Sequence, residues 1–372
     1  MREKSIIWVI GFLVLVVSFL GIIATETVII DPFFHYHKPN TNKYFYTINN
    51  QRSQNDGIIK HFDYQGILTG TSMTENFKTS EAEGIWGGKF IKIPFSGATF
   101  KEINDNLIVA LKNNSNLRVI IRGIDMCLFL DEKNSQREDL WKLPKYLYDK
   151  NIFNDVFYIF NRDVFFSRVC PMVKGVQEPG ITSFDQYSNW MKNKVFGKNK
   201  LYPQGVIFEQ AGSPIYLSDS DKDIVLGNVQ QNITSLAQIY PNVKFYYFFT
   251  PYSAQWWQRL VESGKIYEQI QAERIVIEEI LKCNNIKLYS FNNLFNITTN
   301  LNHYKDDIHY GEWINSMILK CIQNDICLLT YDNYENYLEK ELQFYTSFDY
   351  MQMNEQEDYE DEYYAATLVE TP

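Results

Sequence analysis

From Ile6 to Ala24 the chain carries no charged side chain, and only Gly11, Ser18 and Gly21 interrupt the apolar residues. A run of that length matches the ~20 residues that cross a bilayer, and in lipid its backbone groups can be satisfied within one segment only as a helix. Arg2 and Lys4 lie on its short N-terminal side. The positive-inside rule then leaves the N-terminus in the cytoplasm and everything after residue 30 outside. A cleaved signal peptide is the competing reading. Thr25-Glu26-Thr27 follows Ala24 where a cleavage site would carry an Ala-x-Ala-like pattern, which favours an uncleaved anchor over residues 1–30. Residues 31–61 read as a juxtamembrane segment, with Phe33, Phe34 and Tyr36 suited to the interface belt. Its His35-x-His37 pair could supply two metal ligands from one side of a strand, but no third ligand is nearby.

Beyond residue 61, short apolar runs alternate with stretches of helical pattern. Strands are expected at 65–69, 89–95, 117–121, 243–249 and 286–290. Helices are expected at 100–112, 221–240, 255–283 and 311–323. Thr99 with Glu102 three residues later forms a capping box for the first of these helices. Such alternation implies an α/β fold, a three-layer α/β/α arrangement around a five-stranded parallel sheet. The domain should span residues 62–330. Residues 126–220 lose the pattern and read as an insertion overhanging the strands' carboxyl ends, a place for substrate recognition. After Lys340 there is no Lys or Arg, and residues 355–362 are strongly acidic, so 331–372 reads as a disordered acidic tail.

Lys and Arg total 35 against 45 Asp and Glu, a formal net charge of −10, which argues against a nucleic-acid partner. The five cysteines are scattered, with no Cys-x-x-Cys pair to suggest structural zinc or a redox motif.

Two stretches point to chemistry. Gly70-Thr71-Ser72 follows the first strand, where open α/β sheets hold ligands and where the start of a helix can present an N–H to an oxyanion. Asp306-x-x-His309 lies far downstream; an Asp three residues before a His can share its helical turn and orient the imidazole. Asp307 is the alternative orienter if the helix starts later.

These residues resemble the SGNH (GDSL-like) hydrolase superfamily over roughly residues 62–324. Gly70-Thr71-Ser72 is similar to the block that carries the nucleophile, and Ser96-Gly97 to the block whose glycine N–H serves the oxyanion hole. Gly123-Ile124-Asp125 stands where the third block has Gly-x-Asn-Asp, and Asp306-x-x-His309 matches the block with acid and base. The resemblance implies a catalytic Ser72, His309 and Asp306, with an oxyanion hole from the Ser72 and Gly97 N–H groups. Asp125 replaces the asparagine that family uses. A carboxylate opposes an oxyanion, so Asp125 is expected to cap a helix or bind a substrate hydroxyl. Arg122 is either a donor to the site or a structural arginine, and Tyr252 is a further substrate-binding candidate.

The anchored architecture resembles the teichoic-acid D-alanine transfer protein and the alginate and peptidoglycan O-acetyltransferases. That implies an extracytoplasmic esterase or O-acyltransferase acting on an envelope polysaccharide or teichoic-acid-like polymer, at times with a membrane-bound O-acyltransferase partner. No metal or cofactor is required. The non-enzymatic alternative is an inactive anchored protein of the same fold that binds envelope glycan or such a partner.

Overall fold

The computed structural model describes residues 2–139, 143–191 and 194–358. The chain divides into two compact units, one of residues 1–62 with 139–183, the other of residues 63–138 with 184–372. This differs from the expected division. Residues 139–183 belong with the N-terminal segment, so the juxtamembrane stretch and part of the expected insertion form one body.

The first unit begins with the helix Arg2–Ile30, whose Lys4–Ile30 portion is long and apolar enough to cross a membrane. Asp31 ends it in a left-handed conformation (φ 48°), and its carboxylate accepts the N–H groups of His35, Tyr36 and His37. The helix Gln51–His61 is capped by Asn50, whose side chain accepts from the Ser53 N–H. Gly57 lets that helix approach the backbone of Phe33, since a Cβ there would lie 2.4 Å from the Phe33 carbonyl oxygen. Phe45–Tyr46 and Gly180–Ile181 close the unit as a short parallel pair. The His35 and His37 imidazoles do not converge. His35 Nε2 meets Asp155, and both nitrogens of His37 contact backbone carbonyls.

The second unit is α/β. Its strands are β1 (Gly66–Thr69), β2 (Phe90–Lys92), β3 (Val119–Ile124), β4 (Lys244–Phe249), β5 (Ile286–Ser290) and β6 (Leu328–Leu329). They form a six-stranded sheet in the order β2-β1-β3-β4-β5-β6. The pairs from β2 to β5 are parallel and β6 adds antiparallel to β5, so the sheet is mixed where a purely parallel five-stranded one was expected. Sequence pattern missed β6 because two residues carry no periodicity. The strands β1 to β3 are buried almost throughout, which is why they read as continuous apolar runs.

Helix boundaries show local physics overriding pattern. The capping box at Thr99 and Glu102 is present, and the helix runs Phe100–Asn113. The helix expected over 255–283 is two, Ala254–Ser263 and Ile266–Leu281. Gly264 divides them with φ 72°, and a Cβ there would lie only 1.9 Å from the Ser213 carbonyl oxygen, so only glycine fits the break. The helix expected over 221–240 begins at Asp219 and passes through a π-helical turn, Gln230–Thr234. The supposed disordered tail contains the helix Tyr334–Ser347 and a short turn, Tyr350–Glu355, which bury Leu338, Tyr345 and Met353. Apolar side chains between the acidic ones account for that order. The part of the acidic patch from residue 359 onward lies outside the described residues.

Lys92 is fully buried on β2, where its ammonium donates to the carbonyls of Glu75 (2.5 Å) and Phe77 (2.8 Å). It thereby pins the chain just after Ser72. Burial pushes its pKa down to about 7, against the pull of Asp185, Glu75 and Glu312. Lys92→Met leaves two buried carbonyls without a donor and is expected to cost about 2–4 kcal/mol in denaturant unfolding. Because the folded pKa is depressed, the unfolded chain binds more protons between pH about 7 and the ordinary lysine value of ~10.4. Wild-type stability should therefore carry a component that rises with pH across that window, and the variant should lose it.

Candidate active site

Parallel strands bring their carboxyl ends to one rim of the sheet, and the loops that leave β1 to β5 carry the candidate residues there. At the end of β1, Gly70 has φ 152°, and a Cβ on it would stand 2.6 Å from Thr74 Cγ2. Glycine therefore permits the sharp turn that delivers Ser72 to the start of a short 3₁₀ turn, Ser72–Thr74. Thr71 caps this turn, its hydroxyl accepting from the Met73 N–H while donating to Asp125 Oδ2 at 2.7 Å.

The loop after β4 holds the loop that carries the histidine. The Ser253 N–H and hydroxyl donate to the Asp307 carbonyl at 3.0 and 2.8 Å, and the Tyr304 hydroxyl donates to the Pro251 carbonyl. Tyr304 and Tyr310 form an isolated antiparallel bridge, and the Lys305 N–H donates to the His309 carbonyl. Asp306 and His309 thus lie within a tight hairpin-like loop, not on a helical turn. Asp306 Oδ1 organises the loop by accepting the backbone N–H groups of Ile308 (3.2 Å) and His309 (2.8 Å). The following helix, Glu312–Gln323, starts only after Gly311.

Ser72 Oγ lies 2.7 Å from His309 Nε2, and His309 Nδ1 lies 2.8 and 3.0 Å from the two Asp306 oxygens. The two segments are separated by more than two hundred residues, yet their side chains form one continuous relay of serine, imidazole and carboxylate. Burial would raise the Asp306 pKa, but its hydrogen bonds with the His309 ring and backbone outweigh that and hold it below the usual carboxylate value. Asp307 is not the orienter; its carboxylate pairs with Arg259. Among the described residues neither the Ser72 N–H nor the Gly97 N–H has a hydrogen-bond partner. Gly97 occupies a turn closed from the Ala98 N–H to the Phe95 carbonyl, with φ 61°.

The three expected substrate-binding residues are buried, and each has a different role. Asp125 accepts hydroxyls from Thr71, Tyr252 (2.8 Å) and Thr250 (3.3 Å), so its oxygens are committed to the scaffold. Its side chain caps no helix. Burial pushes its pKa up, opposed by the Thr71 and Tyr252 hydroxyls and by His309. Tyr252 is fully buried beneath the rim. Arg122 is fully buried as well, donating to the Asn232 carbonyl at 2.7 Å between the rings of Phe100 and Tyr247. It braces the sheet against its covering helix and offers nothing to the site. Removing the shared acceptor with Asp125→Ala should cost about 2–4 kcal/mol, because three buried hydroxyls lose their partner. Asp125→Asn keeps one oxygen, and the hydroxyls can reverse, so it should hold the melting temperature closer to wild type. Thermal unfolding of the two variants side by side tests this ordering.

Two flanking residues went unnoticed in the sequence. Trp190 packs edge-on against the His309 ring (centroids 5.8 Å apart), and the Lys305 ammonium lies 3.8 Å from the centre of the Trp190 ring. Burial lowers the Lys305 pKa, with Asp306 pulling the other way and Lys194 reinforcing the drop. Lys305 adjoins Asp306 in sequence, but no spacing rule would have found Trp190, which comes from the irregular region.

No family model matches the chain, and no curated protein does. A solved structure described as "a putative platelet activating factor from Streptococcus pneumonia" is similar over 74% of this chain and 90% of its own, at 12% identity and a TM-score of 0.36. Likeness at that level carries no argument for fold or activity.

Proposed function

We propose that this chain is an SGNH-type serine esterase or O-acyltransferase, anchored by its N-terminal helix with the catalytic unit outside the cytoplasm. The observation that carries the reading is the relay from Ser72 Oγ through His309 to Asp306. The flavodoxin-like order of the parallel strands supports it, since that order is one on which ligands bind at the carboxyl rim. In this reading His309 Nε2 takes the Ser72 proton as Oγ bonds to the carbonyl carbon of an ester or thioester. Asp306 holds Nδ1–H and stabilises the imidazolium. The tetrahedral oxyanion is received by the unpaired N–H groups of Ser72 and Gly97. Collapse breaks the bond to the leaving alkoxide or thiolate, which receives the proton from His309. An acceptor hydroxyl, or water, then loses its proton to His309 and attacks the acyl-serine, regenerating Ser72.

The acceptor class we propose is a hydroxyl of an envelope polysaccharide or teichoic-acid-like polymer, with a membrane-bound O-acyltransferase as donor partner. This part rests on the family resemblance and the anchor. The binding-only alternative draws on Asp125, which replaces the asparagine donor expected in the third block. A fluorophosphonate probe on the full-length protein separates the two. Covalent labelling at Ser72 supports the enzyme. Failure to label, with the protein folded, leaves the binding reading.

A further inference from the structure

We propose that the region 152–176 is a second membrane-contacting element, seated in the outer lipid interface beside the anchoring helix. The proposal rests on that helix lying in a bilayer and goes beyond any reading of the catalytic unit.

Ile23, Thr27 and Ile30 fall on one face at helical spacing, and all three are buried, while Ile22 and Ile29 on other faces are exposed. Ile23 belongs to the uncharged run that ends at Ala24. The short helices Val156–Ile159 and Phe165–Val169 pack against the anchoring helix. The first unit therefore flanks a stretch of helix that reaches the edge of the hydrocarbon.

The attachment is fixed by polar contacts. The Tyr158 hydroxyl donates to Asp31 Oδ1 at 2.8 Å and accepts the Phe33 N–H at 3.2 Å, and its ring stacks on Phe33. Asp155 accepts from the Tyr36 hydroxyl at 3.1 Å and meets His35 Nε2 at 3.3 Å. Residues 155–158 are thus bolted to the residues that directly follow the end of the helix.

Tyr158 turns inward to make these bonds, and its neighbours turn outward. Ile152, Phe153, Val156, Phe157 and Phe160 are all exposed, Phe153 at 83% and Phe157 at 63%. Phe166 and Val173 continue the pattern further along. Such a density of exposed aromatic and aliphatic groups is unfavourable in water and is the signature of a contact surface. Lys150, Arg162 and Lys174 lie among them, as do Asp149 and Asp163, so the charge of this surface is mixed and its apolar groups carry the contact. Continuity with the membrane helix identifies lipid as the occupant.

The test uses the full-length chain with benzoylphenylalanine at position 153, 157 or, as a reference within the helix, 17. Each protein is reconstituted into vesicles of phosphatidylcholine and phosphatidylglycerol, irradiated and examined by mass spectrometry. Phospholipid adducts at 153 and 157 are expected within about threefold of those at 17. Adducts at 17 with none at 153 and 157 overturn the proposal, as do adducts at 153 and 157 to a second copy of the chain. Absence of adducts at all three positions overturns it too, by removing the bilayer on which it rests.

Discussion

Ser72→Ala is expected to abolish fluorophosphonate labelling and to lower ester turnover by about 10³-fold or more, with little change in thermal stability. The two halves of this expectation come from different atoms. The turn is built by Gly70, by the Thr71 cap and by Asp125, none of which uses the Ser72 hydroxyl. The hydroxyl's recorded partner is His309 Nε2. Removing it therefore takes away the proposed nucleophile and leaves the scaffold. Residual turnover would come from the oxyanion donors and from His309 acting on water, which is why a loss of several orders of magnitude, and not complete silence, is expected. Turnover of a simple aryl ester by the purified full-length protein, with melting temperatures measured in parallel, decides it. A variant that unfolds at the wild-type temperature and hydrolyses the ester at the wild-type rate removes Ser72 from the chemistry.

That Ser72 and His309 could be paired from sequence at all follows from what each local motif encodes. A glycine that relieves a turn, an apolar run before it and a polar residue after it are local features, and they located Ser72. The first five strands were legible for a similar reason, since buried parallel strands are continuous apolar runs. Other features depend on contacts that have no sequence period. The break at Gly264 is set by the close approach of Ser213, far away in the chain. The union of residues 139–183 with the N-terminal unit depends on Tyr158 reaching Asp31, and no propensity announces that bond. The role of Asp125 was misjudged because its three hydroxyl donors arrive from two different loops. Of the two readings open for Arg122, the structure has the structural one, with carbonyl acceptors and two aromatic faces in place of a salt-bridge partner.

Asp306→Asn is expected to lower turnover by about 10³–10⁴-fold while leaving Ser72 in place. Asp306 does two jobs, bracing the loop and orienting the imidazole, and its Oδ1 takes part in both. Its Oδ1 accepts the backbone N–H groups of Ile308 and His309, and an amide oxygen can continue to do so, so the loop should keep its shape. Both oxygens face His309 Nδ1, Oδ1 at 2.8 Å and Oδ2 at 3.0 Å, and the variant would present an NH₂ group in place of Oδ2. That group donates to Nδ1 and so favours the tautomer protonated on Nε2, which cannot accept the Ser72 proton. The neutral amide also removes the charge that stabilises the imidazolium. Asp306→Ala should differ, because it removes the backbone acceptor as well and should lower the melting temperature in addition to turnover. In the wild type the hydrogen bonds that depress the Asp306 pKa contribute stability above the ordinary carboxylate range, and that contribution is lost as pH falls through the depressed value. Unfolding curves from neutral to acid pH should therefore converge for wild type and Asp306→Ala at the acid end. If Asp306→Asn instead retains wild-type turnover, the carboxylate serves the loop alone and His309 is oriented by something else.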